Sequence, residues 1–516
     1  MAGQENNTLK EIKMKDKIIF WIDGALTHFC LAYYLQKKYD ADFYAIIDTT
    51  NKPKKFFQEQ RLVQFQKTWY YHDHIINFSN PDIEYLSSFE QKYNVNISQL
   101  LVNDRFFYRF NRFYKFTDDE ILSILEQECK LYENIFEEIH PDFFITKEPA
   151  LRHHQLFYEL CKRKGVKILM LNQPNMGRCI ISENIRKIDS IDNLENSEGT
   201  RNFDELLQYH KSFLMSKQTL SYAKKFKNSK LSLLKAASEF LFTSENKNIR
   251  THYTYFGRTK FRVLLDSIKL SLKKKIREQF INKNLSNQIN FNEKFVYFPL
   301  AVDEERNLLI AAPFYTNQIE VIRHIAKSLP IDYKLYVKES PSQSIRYWRP
   351  LSEYKEMMKI PNVRLIHPSF SPEILYKNCS LVITIGGSSG YEAAFYGKPS
   401  IIFTDLGYLV LPSVEKVKNI EELPKIIRLS LQKKVNPSDL DRYILLLDKN
   451  SFEFDLIGFY NIYHDYFYYG GYLTDVQIPI QKMESFLKKF ETYFDVLTLE
   501  HIKKLNELKK SKKVPL

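Results

Sequence analysis

A chain of 516 residues with 44% apolar and 15% aromatic side chains has material for more than one packed core, so a disordered or collagen-like polymer is excluded. At about 150 residues per domain the length corresponds to roughly three domains, or two large ones with additions. Basic residues outnumber acidic ones 75 to 62, a formal charge of +13, which attracts polyanions, phosphorylated ligands and anionic membranes without choosing among them. Five cysteines without a CxxC pair exclude a disulfide framework and a cysteine zinc site. Met1 to Lys17 is polar and lacks the apolar core of a signal peptide. Ile18 to Leu35 carries Asp23 and His28, which makes it a poor membrane span. The expectation is a cytoplasmic protein, at most peripheral on the inner face of the cell membrane.

In chain order, Lys17 to Asp23 reads as a short buried strand, followed by Gly24, an amphipathic run from Leu26 to Lys38 and a second strand at Asp42 to Ile47. Strand, glycine turn, helix, strand is a βαβ unit and implies a parallel sheet. Asp142 to Thr146, Leu151 to Lys164 and Lys167 to Leu171 repeat the pattern, with Gly165 placed to end the helix. These units define a first doubly wound domain over 15–190, with helices from 53 to 138 decorating it. Residues 191–290 are polar, lysine-rich and helix-patterned; Ile268 to Arg277 is basic and amphipathic, ordinarily a solvated bundle face. From 291 to 430 the α/β rhythm returns. Strands are expected at Phe295–Phe298, Leu308–Ala311, Tyr333–Val337, Val363–Ile366, Leu381–Ile385 and Ser400–Phe403, with a helix at Asn317–Ser328. The tail 431–516 reads as helical and ends in the lysine run Lys503 to Lys513.

The sharpest local signal is the stretch Thr384 to Pro399. An apolar strand runs into Gly386, Gly387, Ser388, Ser389 and Gly390, then a short helix carrying Glu392. Glycines let backbone approach a ligand, and the N–H groups opening a helix favour a phosphate. Ser388 and Ser389 are candidates to cap that helix and bind phosphate oxygens, and Glu392 to meet a ribose. The spacing is neither a Walker A loop nor GxGxxG. Lys338, Glu339 and Ser340 follow another strand of the same sheet and should face the same crevice. Lys338 suits a diphosphate or a sugar carboxylate; Glu339 suits a base or a hydroxyl anchor. Asp303, Glu304 and Glu305 are acids after a strand, equally ordinary for a solvated loop. In the first domain Asp23 and His28 follow the first strand, and Lys147, Glu148, Arg152 and His153 a later one; a buried or capping role is the common fate of such histidines. No His, Asp or Glu set has metal-ligand spacing. The aromatics lack an RNA-recognition pattern, so no specific nucleic acid is expected.

At these residues the chain resembles GT-B glycosyltransferases. Phe298 to Phe403 more narrowly resembles the capsule and surface polysaccharide biosynthesis family, related to the β-Kdo transferases of capsule assembly. The matching pieces are Phe298-Pro-Leu300, Ala312 to Gln318, Leu335 to Glu339 with Pro341, and Gly386 to Pro399. A looser likeness extends over Asp142 to Gly177. Two positions depart from the family pattern: Ser340 stands where Lys-Glu-His-Pro is usual, and Ala301 where a histidine often follows Phe-Pro-Leu. The resemblance implies two Rossmann-like domains across a cleft, a metal-independent transferase without cofactor, and C-terminal helices packing back on the first domain. A nucleotide-sugar donor would sit on the second domain, held by Lys338, Ser340, Gly386, Gly387, Ser388, Ser389, Glu392 and Gln318. A glycan or lipid-linked acceptor would sit on the first, with Asp23, His28 and Glu339 as catalytic candidates. Open alternatives are a nucleotide-sugar epimerase of the same fold, a catalytically degenerate glycan-binding protein, and a polyanion binder driven by charge. The basic runs Lys269–Arg277 and Lys503–Lys513 suggest weak, salt-sensitive contact with anionic membranes.

Overall fold

The computed structural model describes residues 15–510 except 50, 77, 79, 175–177, 190–198, 213–229, 244–251 and 345–347. Its first sheet contains β1 (Asp16–Asp23), β2 (Ala41–Asp48), β3 (Lys67–Tyr70), β4 (Phe143–Lys147), β5 (Lys167–Asn172) and β6 (Ile180–Ser182), in the order β3-β2-β1-β4-β5-β6. All neighbours are parallel except β5 and β6. The uninterrupted apolar run of β1 reflects burial on both faces. Ile18, Phe20 and Ile22 enter one core, while Ile19 and Trp21 enter another on the opposite face, as the two-residue period of a strand requires.

The second sheet contains β7 (Lys294–Pro299), β8 (Tyr333–Lys338), β9 (Val363–Ile366), β10 (Leu381–Thr384), β11 (Ser400–Ile402) and β12 (Val414–Lys416). Its order, β12-β11-β10-β7-β8-β9, repeats that of the first sheet strand for strand, and its neighbours are all parallel. In each sheet the order reverses beside the first strand, between β1 and β4 and between β7 and β10. Open α/β sheets bind ligands at such points, outside the carboxyl ends of the strands. Two doubly wound domains related in this way make the GT-B-like architecture that the sequence implied.

The C-terminal helices tie the domains together. Helix Pro437–Asn450 buries Leu440, Tyr443, Ile444 and Leu447 against Tyr391, Phe395 and Tyr408 of the second domain. The chain then crosses over: Phe452 exchanges backbone hydrogen bonds of 2.9 and 3.0 Å with Cys179. Helices Leu456–Phe467, Ile480–Lys489 and Glu491–Lys510 cover one face of the first sheet, where Phe459, Phe486 and Phe494 join Phe20 and Phe29 in a single core.

Some expectations change. Leu308 to Ala311 forms no strand; the short helix Arg306–Leu309 occupies that place, because four apolar residues carry no readable period. β3 lies inside 53–138, where only helices were expected, and the three-residue strands β6 and β12 were equally silent in the sequence. The connecting region holds helices Phe203–Ser212, Lys230–Thr243 and Lys260–Asn284.

Candidate functional site

β10, β7 and β8 are adjacent and parallel, so the segments following them share one edge. Ser388 and Lys338 therefore stand on the same wall. That edge faces the carboxyl edge of the first sheet. Arg306, after β7, donates to the Pro149 carbonyl at 2.6 Å and pairs with Glu148, after β4, at 2.9 Å. Arg186 joins Glu148 from the first domain at 3.0 Å. Beside this bridge a cavity of about 290 Å³ runs between the domains, lined by Glu159, Lys162, Arg186, Arg306, Gly386 and Thr404 among others. Its cationic lining favours an anionic ligand.

The glycine loop is closely confined. A Cβ on Gly386 would lie 2.7 Å from Thr404 Cγ2, and one on Gly390 2.8 Å from the Tyr408 hydroxyl. Only glycine lets β10 turn into helix Ser389–Ala394 against β11 and its following loop. The Gly387 carbonyl accepts from Tyr408 at 2.6 Å. Neither serine makes a side-chain cap: Ser388 is already helical in backbone and its hydroxyl donates to Glu392 at 2.7 Å. Glu392 also accepts from Tyr376 at 3.1 Å, so its carboxylate braces the loop.

Lys338 is 4% exposed and, among the described residues, makes no side-chain hydrogen bond or ion pair. Burial lowers its pKa to about 8, partly offset by the neighbouring Glu339. A buried ammonium without a fixed counter-ion is an anion-seeking group. Glu339 is fully buried and differently engaged: Arg349 donates to it at 2.6 Å and Tyr354 at 2.8 Å. Burial raises its pKa, and Arg349 counters the rise only in part. Arg349 also reaches Asp303 and the Ala301 carbonyl. Gln318 completes the brace, donating to Asp303 at 2.8 Å and to the Ala301 carbonyl at 3.0 Å and accepting from the Ala301 N–H at 2.8 Å. These residues lock the loop after β7 to the loop after β8. Ser340 is half-buried beside them; its N–H donates to Glu339 at 2.9 Å. Arg349 and Tyr354 carried no local motif, and only the fold brings them to Glu339.

In the first domain Asp23 ends β1 beside Lys147 at the end of β4, at the switch point, and the two form an ion pair. Burial pulls the Lys147 pKa down, but Asp23 and Tyr460 outweigh it and hold it above the ordinary lysine value. His28 is buried near His501 and Lys147; burial above all lowers its pKa to about 3. His153, read in the sequence only as one of the residues after a later strand, meets Asp48 at the end of β2 and His72 just after β3. Asp48 accepts from His153 Nε2 at 2.9 Å and lies 3.2 Å from His72 Nε2. Burial opposes its ionisation, yet the two histidines hold its pKa well below the usual carboxylate range. The Nδ1 atoms of His72 and His153 have no partner among the described residues. A carboxylate that engages one imidazole nitrogen fixes the ring's orientation and tautomer; here the other nitrogens are enclosed, His153 being fully buried. Among the described residues no three His, Cys, Asp or Glu are grouped to hold a metal ion.

Residues 197–408 match the family described as capsule polysaccharide biosynthesis protein. The match spans β7 to β11 and bears out the resemblance read from Phe298 to Phe403. No curated protein matches the chain. Among solved structures, the chain is similar to the UDP-GlcNAc 2-epimerase of Methanocaldococcus jannaschii, with 12% identity, 84% of this chain and 99% of that chain covered, and a TM-score of 0.25. It is also similar to KpsC, a beta Kdo 2,7 transferase of Thermosulfurimonas dismutans, with 9% identity, coverages of 62% and 89%, and a TM-score of 0.26.

Proposed function

We propose that the protein is a GT-B glycosyltransferase that moves a sugar from a nucleotide-sugar donor to a growing surface or capsular polysaccharide or a lipid-linked glycan. One observation carries this reading: the family match of residues 197–408 contains both the 338–340 and the 386–392 segments, which share one edge of the second sheet facing the first domain. In this reading the donor lies against that edge. The backbone at Gly386 and Gly387 lets its phosphates approach, and Lys338 supplies the positive charge that stabilises the leaving phosphate, so no metal or other cofactor is required. Ser340 donates a neutral hydrogen bond where the related pattern carries histidine. Glu339 and Gln318 act as positioning residues, because their polar atoms are already held by Arg349, Tyr354, Asp303 and Ala301. The acceptor lies on the first domain, where Asp23, partly exposed at the switch point, offers a proton acceptor.

The test is a thermal-shift and calorimetric screen of the full chain against CMP, CDP, UDP and GDP and their sugars, since ligands of the native state raise the melting temperature by mass action. A nucleotide that binds wild type and binds Lys338→Met at least about tenfold more weakly, a loss of about 1.4 kcal/mol, supports the site. Absence of any nucleotide binding overturns it, and turnover of a nucleotide-sugar without acceptor reassigns the protein to the epimerases.

A further inference from the structure

Helix Lys260–Asn284 is 25 residues long and touches both domains. Asp266 pairs with Arg112 of the first domain at 3.4 Å, and Ile281 enters the core of the second. Its outward face is unusual. Phe261, Leu264, Leu265, Ile268, Leu272 and Ile276 are 37 to 71% exposed. Their spacing is three, one, three, four and four residues, which at 3.6 residues per turn places all six on one stripe. Leu270 and Ile281, on the opposite face, are buried. Helix Lys230–Thr243 continues the patch: Leu231, Leu234 and Phe242 are 66, 67 and 84% exposed, and Lys260 Nζ donates to the Leu241 carbonyl at 2.7 Å where the two helices meet.

Burying such a stripe needs an apolar medium, and the charges beside it select which. Arg262, Lys269, Lys273 and Lys275 are exposed along the same helix. Its acidic residues are Asp266, already paired with Arg112, and Glu278. A second copy of the helix would set lysines against lysines. An anionic bilayer offers hydrocarbon for the stripe and phosphate for the flanks. Among the described residues no helix is long and apolar enough to cross a membrane, so the helix lies on the surface. We propose that Lys260–Asn284, with Lys230–Thr243 beside it, is an in-plane docking face for anionic lipid, seating Phe261, Ile268, Leu272 and Ile276 in the interface.

This goes beyond the weak electrostatic contact that the lysines alone suggested, because the apolar stripe adds a salt-resistant component. It also separates the two basic runs. Lys503, Lys504 and Lys509 pair with Glu500, Asp189 and Asp16 of the chain itself, and the end of that run lies outside the described residues. The inference stands independently of the nucleotide site.

The test is flotation of the full chain with phosphatidylglycerol-containing vesicles and with pure phosphatidylcholine vesicles, at about 0.1 M and about 1 M salt, where the Debye length falls from about 10 to about 3 Å. Wild type is expected to bind the anionic vesicles at both salts, less at the higher, and the neutral ones weakly. Replacing Phe261, Ile268, Leu272 and Ile276 together by Ser should reduce binding by about tenfold or more at high salt, with the melting temperature unchanged because the side chains are exposed. Replacing Lys269, Lys273 and Lys275 by Gln should erase the preference for anionic vesicles. No binding by wild type, or equal binding by the serine variant, overturns the proposal. So does a wild-type dimer that the serine variant dissociates while neither binds vesicles. Nucleotide binding measured on the same samples keeps failure of this face distinct from failure of the donor site.

Discussion

At the carboxyl edge of the first sheet many side chains are already stacked or paired. His154 stacks on Trp21 at 4.3 Å, His153 on Tyr71 at 4.5 Å, and below them Arg152 is buried with Asp104 and Glu128. At the carboxyl edge of the second sheet the cavity between the domains is lined by Gly386 and Thr404, and Lys338 makes no side-chain hydrogen bond or ion pair among the described residues. The strand order is identical in both. Topology therefore sets where a ligand can bind, and the residues spent on the strand ends decide what each edge has left to offer it.

The largest effect that could break this comparison is loss of the element shared by both domains. Truncation after Ser430 removes Leu440 and Tyr443 from the second domain and Phe459, Phe486 and Phe494 from the first. Both domains should lose stability, read as lowered or absent melting transitions; a truncated chain that melts like the full one would refute the tying role.

Next come the two buried arginines. Arg152→Met strands Glu128 and Asp104, and Arg349→Met strands Glu339 and Asp303; each should cost about 3–5 kcal/mol in denaturant unfolding. Only the second should also weaken nucleotide binding, because Arg349 holds the loops around Lys338. Equal effects on binding would mean that the two edges are not functionally distinct.

Smaller is the glycine contrast. Gly386→Val forces a Cβ to 2.7 Å from Thr404 and should cost about 1–3 kcal/mol with loss of nucleotide binding. A Cβ at Gly24, after β1, meets nothing within 4 Å, so Gly24→Ala should stay within about 0.5 kcal/mol.

The gentlest probe is pH. His28 and His501, with pKa values lowered by burial to about 3 and about 4, take up protons more readily unfolded. The stability they contribute is complete above the ordinary histidine value near 6.5 and is lost as pH falls toward those lower values. Lys338, lowered to about 8 from 10.5, also takes up its proton more readily unfolded, but its window is alkaline: stability should rise as pH rises from about 8 toward 10.5. Over the same range a phosphate ligand held by Lys338 should weaken. Chemical unfolding across pH checks both limbs, with His28→Leu flattening the acid one and Lys338→Met the alkaline one.

Much of this arrangement was legible before the structure. Alternating apolar runs and glycine turns gave the two parallel sheets, and the shared edge of Lys338 and Ser388 followed from both segments succeeding strands of one sheet. Short strands such as β3, β6 and β12 were not legible, since three or four residues carry too little period. The partners of Glu339 and Gln318 were not legible for another reason. A polar residue after a strand looks the same whether it faces solvent, a ligand or Arg349.

By itself the sequence determined the fold class, the glycine loop and the excess of positive charge, because these depend on neighbours within a few positions. Tertiary structure alone decided which polar groups are spent and which are left over. Asp48, His72 and His153 are separated by up to 105 positions and meet only where three strand ends converge. The helix Lys260–Asn284 is the converse case. The sequence shows Ile268 to Arg277 only as basic and amphipathic, and only the packed domains show that the core takes Leu270 and Ile281 and leaves the apolar stripe outside. Burial depends on the whole chain, and no local pattern carries it.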